Sequence, residues 1–123
     1  DNATGKALIF VDQTGENSIV IVGGANVDYP ADLAELPVDY KKGIDESDYL
    51  MLQKEIPMII NVLAAKYAKE KKKLVILDCG GSDEEIPDEL LKNLDFISPN
   101  STELLRIDPT IDKDKDSVVS EIR

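Results

Sequence analysis

The sequence predicts an α/β domain built on a parallel sheet, with a β-hairpin at its amino end. Three observations carry this reading. Two β-rich runs flank a short polar turn in residues 6–22; from Asp48 onward short apolar runs alternate with helix-period runs; and Pro57, Pro87 and Pro99 stand at successive strand-to-helix junctions. The 123 residues suffice for one domain with one core and are too few for two.

Lys6–Val11 and Asn17–Val22, joined by Asp12-Gln13-Thr14-Gly15-Glu16, read as antiparallel strands of a hairpin. A half-exposed hairpin alternates apolar and polar residues, whereas here Ala7, Ile9 and Val11 on one face are matched by Leu8 and Phe10 on the other. Both faces are therefore expected to be covered by a ligand, another subunit or further strands, because a two-stranded ribbon is barely stable alone; the plainer alternative is an ordinary core hairpin. Gly23-Gly24-Ala25-Asn26 is a backbone-permissive crossing and has neither Gly-x-Gly-x-x-Gly spacing nor a Gly-Lys-Ser end.

Between Tyr29 and Ser47 the chain is mixed and polar, and a short helix is expected at 31–36 with a further turn near 40–43. Tyr49–Gln53 reads as a strand. Ile56, Ile60, Leu63 and Tyr67 keep a helical period through a segment ending near Lys72, with Pro57 in its first turn. The cations Lys69, Lys71, Lys72 and Lys73 suit the negative end of that helix dipole. Leu74–Leu77 is continuously apolar, the mark of a parallel strand covered on both faces, after which Asp78-Cys79-Gly80-Gly81 is expected to leave the sheet. Pro87 opens a short helix through Leu91. Leu94–Ile97 is a further strand, and Asn100 with Glu103 three residues on forms a capping-box pattern for the next helix. Residues 114–122 continue as a helix in this reading.

Composition narrows the function. With 25 acidic against 14 basic residues the net charge is −11, the wrong sign for a nucleic-acid partner, whose phosphates are held by Lys and Arg. A small phosphorylated ligand is compatible, since backbone N–H groups and a metal can hold one. The absence of His removes His-based triads and imidazole acid/base catalysis. The longest apolar run, 56–65, is too short to cross a bilayer, so no membrane role is expected. No basic, apolar leader is read at the start, and the lone Cys79 gives no disulfide, which points to a reducing, cytoplasmic setting.

Gln53 and Glu55, Asp78, and Asn100 and Glu103 fall at or just after the carboxyl ends of successive strands. Right-handed, parallel β-α-β crossovers bring these ends to one edge, where open α/β sheets bind ligands. Such a rim suits a hydroxylated ligand and a hydrated Mg²⁺. The plainer alternative is that these residues are caps and turns, which favour the same types.

The order of motifs says more. Thr4-Gly5-Lys6-Ala7, Asp12–Asn17, Gly24-Ala25-Asn26, Leu52-Gln53-Lys54-Glu55-Ile56-Pro57, Ile86-Pro87-Asp88-Glu89-Leu90-Leu91 and Ser98-Pro99-Asn100-Ser101-Thr102-Glu103 together resemble the central segment of ribokinases in the PfkB family of carbohydrate kinases. The resemblance implies a partial ribokinase-like three-layer α/β/α sheet, with residues 1–26 as a hairpin lid and 27–123 as a partial Rossmann-like domain. It implies transfer of the γ-phosphoryl group of ATP to the 5-hydroxyl of D-ribose, with Mg²⁺ and K⁺ as cofactors and a homodimer clasped through the lid.

Carried over by position, Glu55 binds the sugar hydroxyls, Ala7, Ile9 and Ile21 close over the sugar, Asn100 contacts the ATP phosphates, and Glu103 positions Mg²⁺ through its waters. Asp78-Cys79-Gly80-Gly81-Ser82 departs from the Asn-Pro-Ala-Pro-Ala of many bacterial ribokinases, which leaves the exact sugar open between ribose and the substrates of other PfkB sugar or nucleoside kinases. The 123 residues contain neither the Gly-Gly-Lys-Gly-x-Asn element nor the Gly-Ala-Gly-Asp that supplies the catalytic base. The chain on its own is therefore expected to be an inactive segment. The reading from another class is a non-catalytic assembly module that pairs through the hairpin.

Overall fold

A computed structural model describes residues 2–30 and 32–110. The helix expected over 114–122 lies outside the described residues. Two sheets form: an antiparallel pair of β1 (Lys6–Val11) and β2 (Asn17–Val22), and a parallel sheet of β3 (Tyr49–Lys54), β4 (Leu74–Gly81) and β5 (Phe96–Ser98) in the order β3-β4-β5. A short 3₁₀ helix (Gly24–Val27) and helices α1 (Val38–Asp45), α2 (Met58–Glu70), α3 (Asp88–Leu91) and α4 (Ser101–Ile107) complete the elements of the described residues.

The hairpin follows from its turn. Asp12 Oδ1 accepts hydrogen bonds from the Thr14 N–H (2.8 Å), the Thr14 hydroxyl (2.7 Å) and the Glu16 N–H (3.1 Å), the Thr14 contacts holding its carboxyl below the usual range. At the hairpin's base, Gly24 has φ +53°, and a Cβ there would stand 2.4 Å from the Ala3 carbonyl oxygen, so only glycine lets the two chain segments cross. In this chain both faces of the ribbon are exposed, contrary to the expectation of cover. Pairing of Ala7 with Ile21 and Ile9 with Ile19 puts these residues on one face, and pairing of Leu8 with Val20 puts those on the other.

In place of the helix expected at 31–36, residues 32–37 form a loop, and α1 begins at Val38. Proline disfavours helical geometry in the residue before it, which excludes Leu36, while Pro37 with φ −54° suits a helix start. Leu36 nevertheless enters the core.

Helix α2 lies on the sheet through Ile60, Val62, Ala64, Ala65 and Ala68, opposite Leu52, Val75 and Leu77. Fully burying residues such as Val75 and Leu77 contributes about 1.5–3 kcal/mol each. The helix ends with Lys72 at φ +59°, the Lys73 N–H returning to the Ala68 carbonyl (2.9 Å) and the Lys72 N–H to that of Lys69 (3.0 Å), a paired C-terminal closure.

Because the strands step in one direction, right-handed crossovers set their helices on the same face. The other face, with Tyr49, Met51 (76% exposed) and Phe96, is open among the described residues. The expectation that Leu74–Leu77 is covered on both faces therefore fails within this chain: Val75 and Leu77 are buried while Leu74 is exposed. Strand β4 also runs on through Gly81 rather than ending at Leu77.

Asp95 ties the sheet's amino edge to α2, accepting from Lys69 Nζ (2.7 Å) and the Val75 N–H (2.8 Å). Lys69 first, then the Val75 N–H, holds its carboxyl below the usual carboxylate range. A lowered carboxylate pKa gives stability that is present above the unfolded-state value and lost as pH falls through the native one. Asp95→Asn is thus expected to narrow the fall in urea midpoint between pH 7 and pH 2. Equal falls in both proteins would show that the contact adds no pH-dependent stability.

Candidate functional site

The parallel register, Leu52 beside Leu77 and Leu77 beside Ile97, sends the carboxyl ends of β3, β4 and β5 to one edge. At the usual strand spacing, the tips of β3 and β5 stand roughly 10 Å apart. Glu55 follows β3, Asp78 lies in the second half of β4, and Asn100 and Glu103 follow β5.

Between the hairpin and this edge lies a cleft of about 450 Å³, lined by residues including Ala7, Ile21, Lys54, Glu55 and Gly81. Three of the residues expected to meet the sugar, Ala7, Ile21 and Glu55, thus share one concavity. Ile9 does not line it, although it shares a strand face with Ala7. Glu103 lines a second, smaller cavity of about 50 Å³ with Cys79, Glu84, Arg106 and Lys54 among its walls. Asn100 lines neither of these two cavities.

Asn100 and Glu103 form the capping box their spacing predicts. The Glu103 N–H donates to Asn100 Oδ1 (2.9 Å), the Asn100 N–H to Glu103 Oε2 (2.8 Å), and Asn100 Nδ2 to Glu103 Oε1 (2.8 Å). Both carboxylate oxygens are fixed while each keeps a lone pair, so the cap and a second task are compatible. Asp78 Oδ1 accepts the Gly80 N–H at 2.8 Å, which closes the turn within β4. A Cβ on Gly80 would stand 3.1 Å from Asp78 Oδ1 and 3.8 Å from Glu103 Oε1, so these two carboxylates flank that glycine.

Two residues escaped the sequence reading. Lys54 is only 8% exposed, lines both cavities, and makes no ion pair among the described residues. Its signal was its place in the inward-facing row of Leu50, Leu52 and Lys54, where a cation interrupts apolar residues. Asn61, fully buried in α2, similarly interrupts Ile59-Ile60 and Val62-Leu63. Burial first, and the nearby Glu103 carboxylate second, push the Cys79 thiol up, so it is not an activated nucleophile.

Among the described residues no group of three or more His, Cys, Asp or Glu side chains could hold a metal ion directly. No described helix is long and apolar enough to cross a membrane.

The sequence matches the profile described as pfkB family carbohydrate kinase over residues 1–119. It is 43% identical over 105 residues to a ribokinase of Arabidopsis thaliana, which covers 85% of this chain and 27% of that protein. A bifunctional ribokinase/ribose-5-phosphate isomerase A of Fructilactobacillus sanfranciscensis is 38% identical over 123 residues, 98% of this chain and 22% of that protein. The structure of Arabidopsis thaliana ribokinase complexed with ribose and ATP superposes with a TM-score of 0.75 at 42% identity, covering 87% of this chain and 34% of that one. The chain thus spans about a quarter of the length of the curated relatives it matches.

Proposed function

The chain belongs to the pfkB family of carbohydrate kinases, and on that premise we propose that the protein carrying it is a ribokinase. It transfers the γ-phosphoryl group of ATP to the 5-hydroxyl of D-ribose, giving D-ribose 5-phosphate and ADP. Residues 1–26 act as a lid over a partial α/β domain of residues 27–123. The observation that carries the reading is the shared cleft: a carboxylate and two apolar hairpin residues line a space of about 450 Å³, within the range of about 300–1,000 Å³ typical of small-molecule sites.

In this mechanism Glu55 accepts hydrogen bonds from sugar hydroxyls and fixes the sugar's orientation. Ala7 and Ile21 cover the ring and exclude water, which strengthens every polar contact beneath them, and Ile9 extends the same apolar face of the lid beyond the cleft. Asn100 hydrogen-bonds the phosphates. Glu103 suits a hydrated Mg²⁺, which takes one or two carboxylates and keeps several waters. Charge neutralisation on the transferring phosphoryl group is the chemistry such an ion supplies. The 123 residues offer no Gly-Ala-Gly-Asp base, and no K⁺ site is assigned to them.

The apolar outer face of the hairpin, with Leu8, Phe10 and Val20, supports a homodimer joined through the lid. The same exposure is what favours the second reading, an assembly module without catalysis. A cytoplasmic setting belongs to the first reading and is supported by the single, buried thiol of Cys79.

Coupled detection of ADP tests these readings with D-ribose, D-fructose and adenosine as acceptors. The full-length protein with Mg-ATP is expected to turn over ribose best, and the 123 residues alone not at all. A preference for fructose or adenosine would move the protein to another kinase of the family, and no turnover with any acceptor would favour the assembly module. Turnover by the 123 residues would refute the assignment of the base to a segment outside them.

A further inference from the structure

Asn61 is the only uncharged polar residue in the buried set among the described residues, and it is fully buried. Asparagine is a poor helix former, and burying its amide is unfavourable unless its hydrogen bonds are made. Here one is made: Nδ2 donates to the Gln53 carbonyl at 2.8 Å, across eight residues of chain. The other side of the amide, Oδ1, has no partner. An alkyl side chain at this position would avoid that orphan acceptor, so whatever Asn61 contributes lies in its grip on Gln53.

Gln53 sits where the β3–β4 ladder breaks. Leu52 pairs with Leu77, but Lys54 pairs with Gly81, so Asp78, Cys79 and Gly80 together stand opposite Gln53. Regular strand pairing therefore does not set the course of β3 at this point. Two other contacts do. Asn61 holds the Gln53 carbonyl from α2, and the Ser82 N–H donates to the Lys54 carbonyl at 3.1 Å from the end of β4. The next residue is Glu55, which lines the cleft under the hairpin.

We propose that Asn61 is a positioning residue for Glu55, the Nδ2 bond to the Gln53 carbonyl fixing the direction in which the chain leaves β3. The proposal rests on the reading of Glu55 as the residue that binds the sugar. Its test uses the full-length protein with Asn61→Ala and Asn61→Val, both of which remove the orphan acceptor, the valine also filling most of the space. Both variants are expected to raise KM for D-ribose about tenfold, with KM for ATP within about twofold of wild type. In amide-exchange measurements residues 53–55 and 82 should exchange about tenfold faster, with 74–77 unchanged.

A merely structural asparagine would lower the unfolding midpoint and leave the sugar KM and the local exchange at wild-type values, which overturns the proposal. If the wild-type protein does not phosphorylate ribose, the sugar-binding role of Glu55 falls. The exchange data then decide the clamp separately: selective loosening at 53–55 and 82 upholds it, and a uniform change across the sheet refutes it.

Discussion

Glu55→Ala in the full-length protein is expected to lower kcat/KM for D-ribose about 100-fold, leaving KM for ATP within about twofold. The magnitude follows from the chemistry. A hydrogen bond to a charged group contributes about 1.5–3 kcal/mol, and each 1.36 kcal/mol is a factor of ten, so losing one such contact gives roughly 10- to 150-fold. Glu55→Gln, which keeps the shape and loses the charge, should fall between, near tenfold. Glu55 is exposed on the wall of the cleft, so neither change should disturb folding. Were Glu55 only an acid ahead of α2, its removal would cost about 0.3–1 kcal/mol of stability through the helix dipole and leave sugar kinetics untouched. Steady-state kinetics with each substrate varied in turn separates the two outcomes.

Gly81→Ala is expected to destabilise the protein by about 2–4 kcal/mol and to weaken the use of ribose as well. Gly81 has φ +105°, a conformation that L side chains rarely adopt, and a Cβ there would stand 2.7 Å from the Lys54 carbonyl carbon and 3.0 Å from Glu55 Cγ. The backbone strain alone accounts for about 1–3 kcal/mol, and the contact is with main chain, which cannot rotate away. Relief requires the end of β3 to shift, and Glu55 shifts with it. Gly43→Ala is the control: Gly43 lies in α1 with nothing within 4 Å of the new Cβ, so that change should stabilise by about 0.5–1 kcal/mol. Denaturant unfolding of the two variants checks both signs, and a Gly81→Ala protein as stable as wild type would remove the argument for this close approach.

The features legible in the sequence are those fixed by local chemistry. The Asp12–Glu16 turn sets the hairpin, and the Asn100–Glu103 spacing sets the capping box; both form as their residues dictate. The expected helix at 31–36 fails for an equally local reason, since Pro37 excludes Leu36 from helical geometry and moves the start to Val38. Burial was legible only in part. Leu8, Phe10, Tyr49, Met51 and Phe96 have the composition of covered residues, yet within this chain they face outward. Apolar pattern reports the surroundings a residue is suited to, and those can come from outside the described residues. Lys54 and Asn61 each interrupt an apolar row, but their roles were not legible, because each acts across elements: one between two cavities, the other from α2 onto the end of β3.

The central claim is that the cleft between the hairpin and the carboxyl edge of β3 holds the sugar. A crystal structure of the full-length protein with D-ribose tests it most directly. The account predicts the Glu55 carboxylate within hydrogen-bond distance of a ribose hydroxyl, with Ala7 and Ile21 against the sugar ring. Ribose bound elsewhere, with Glu55 facing only solvent, would contradict it.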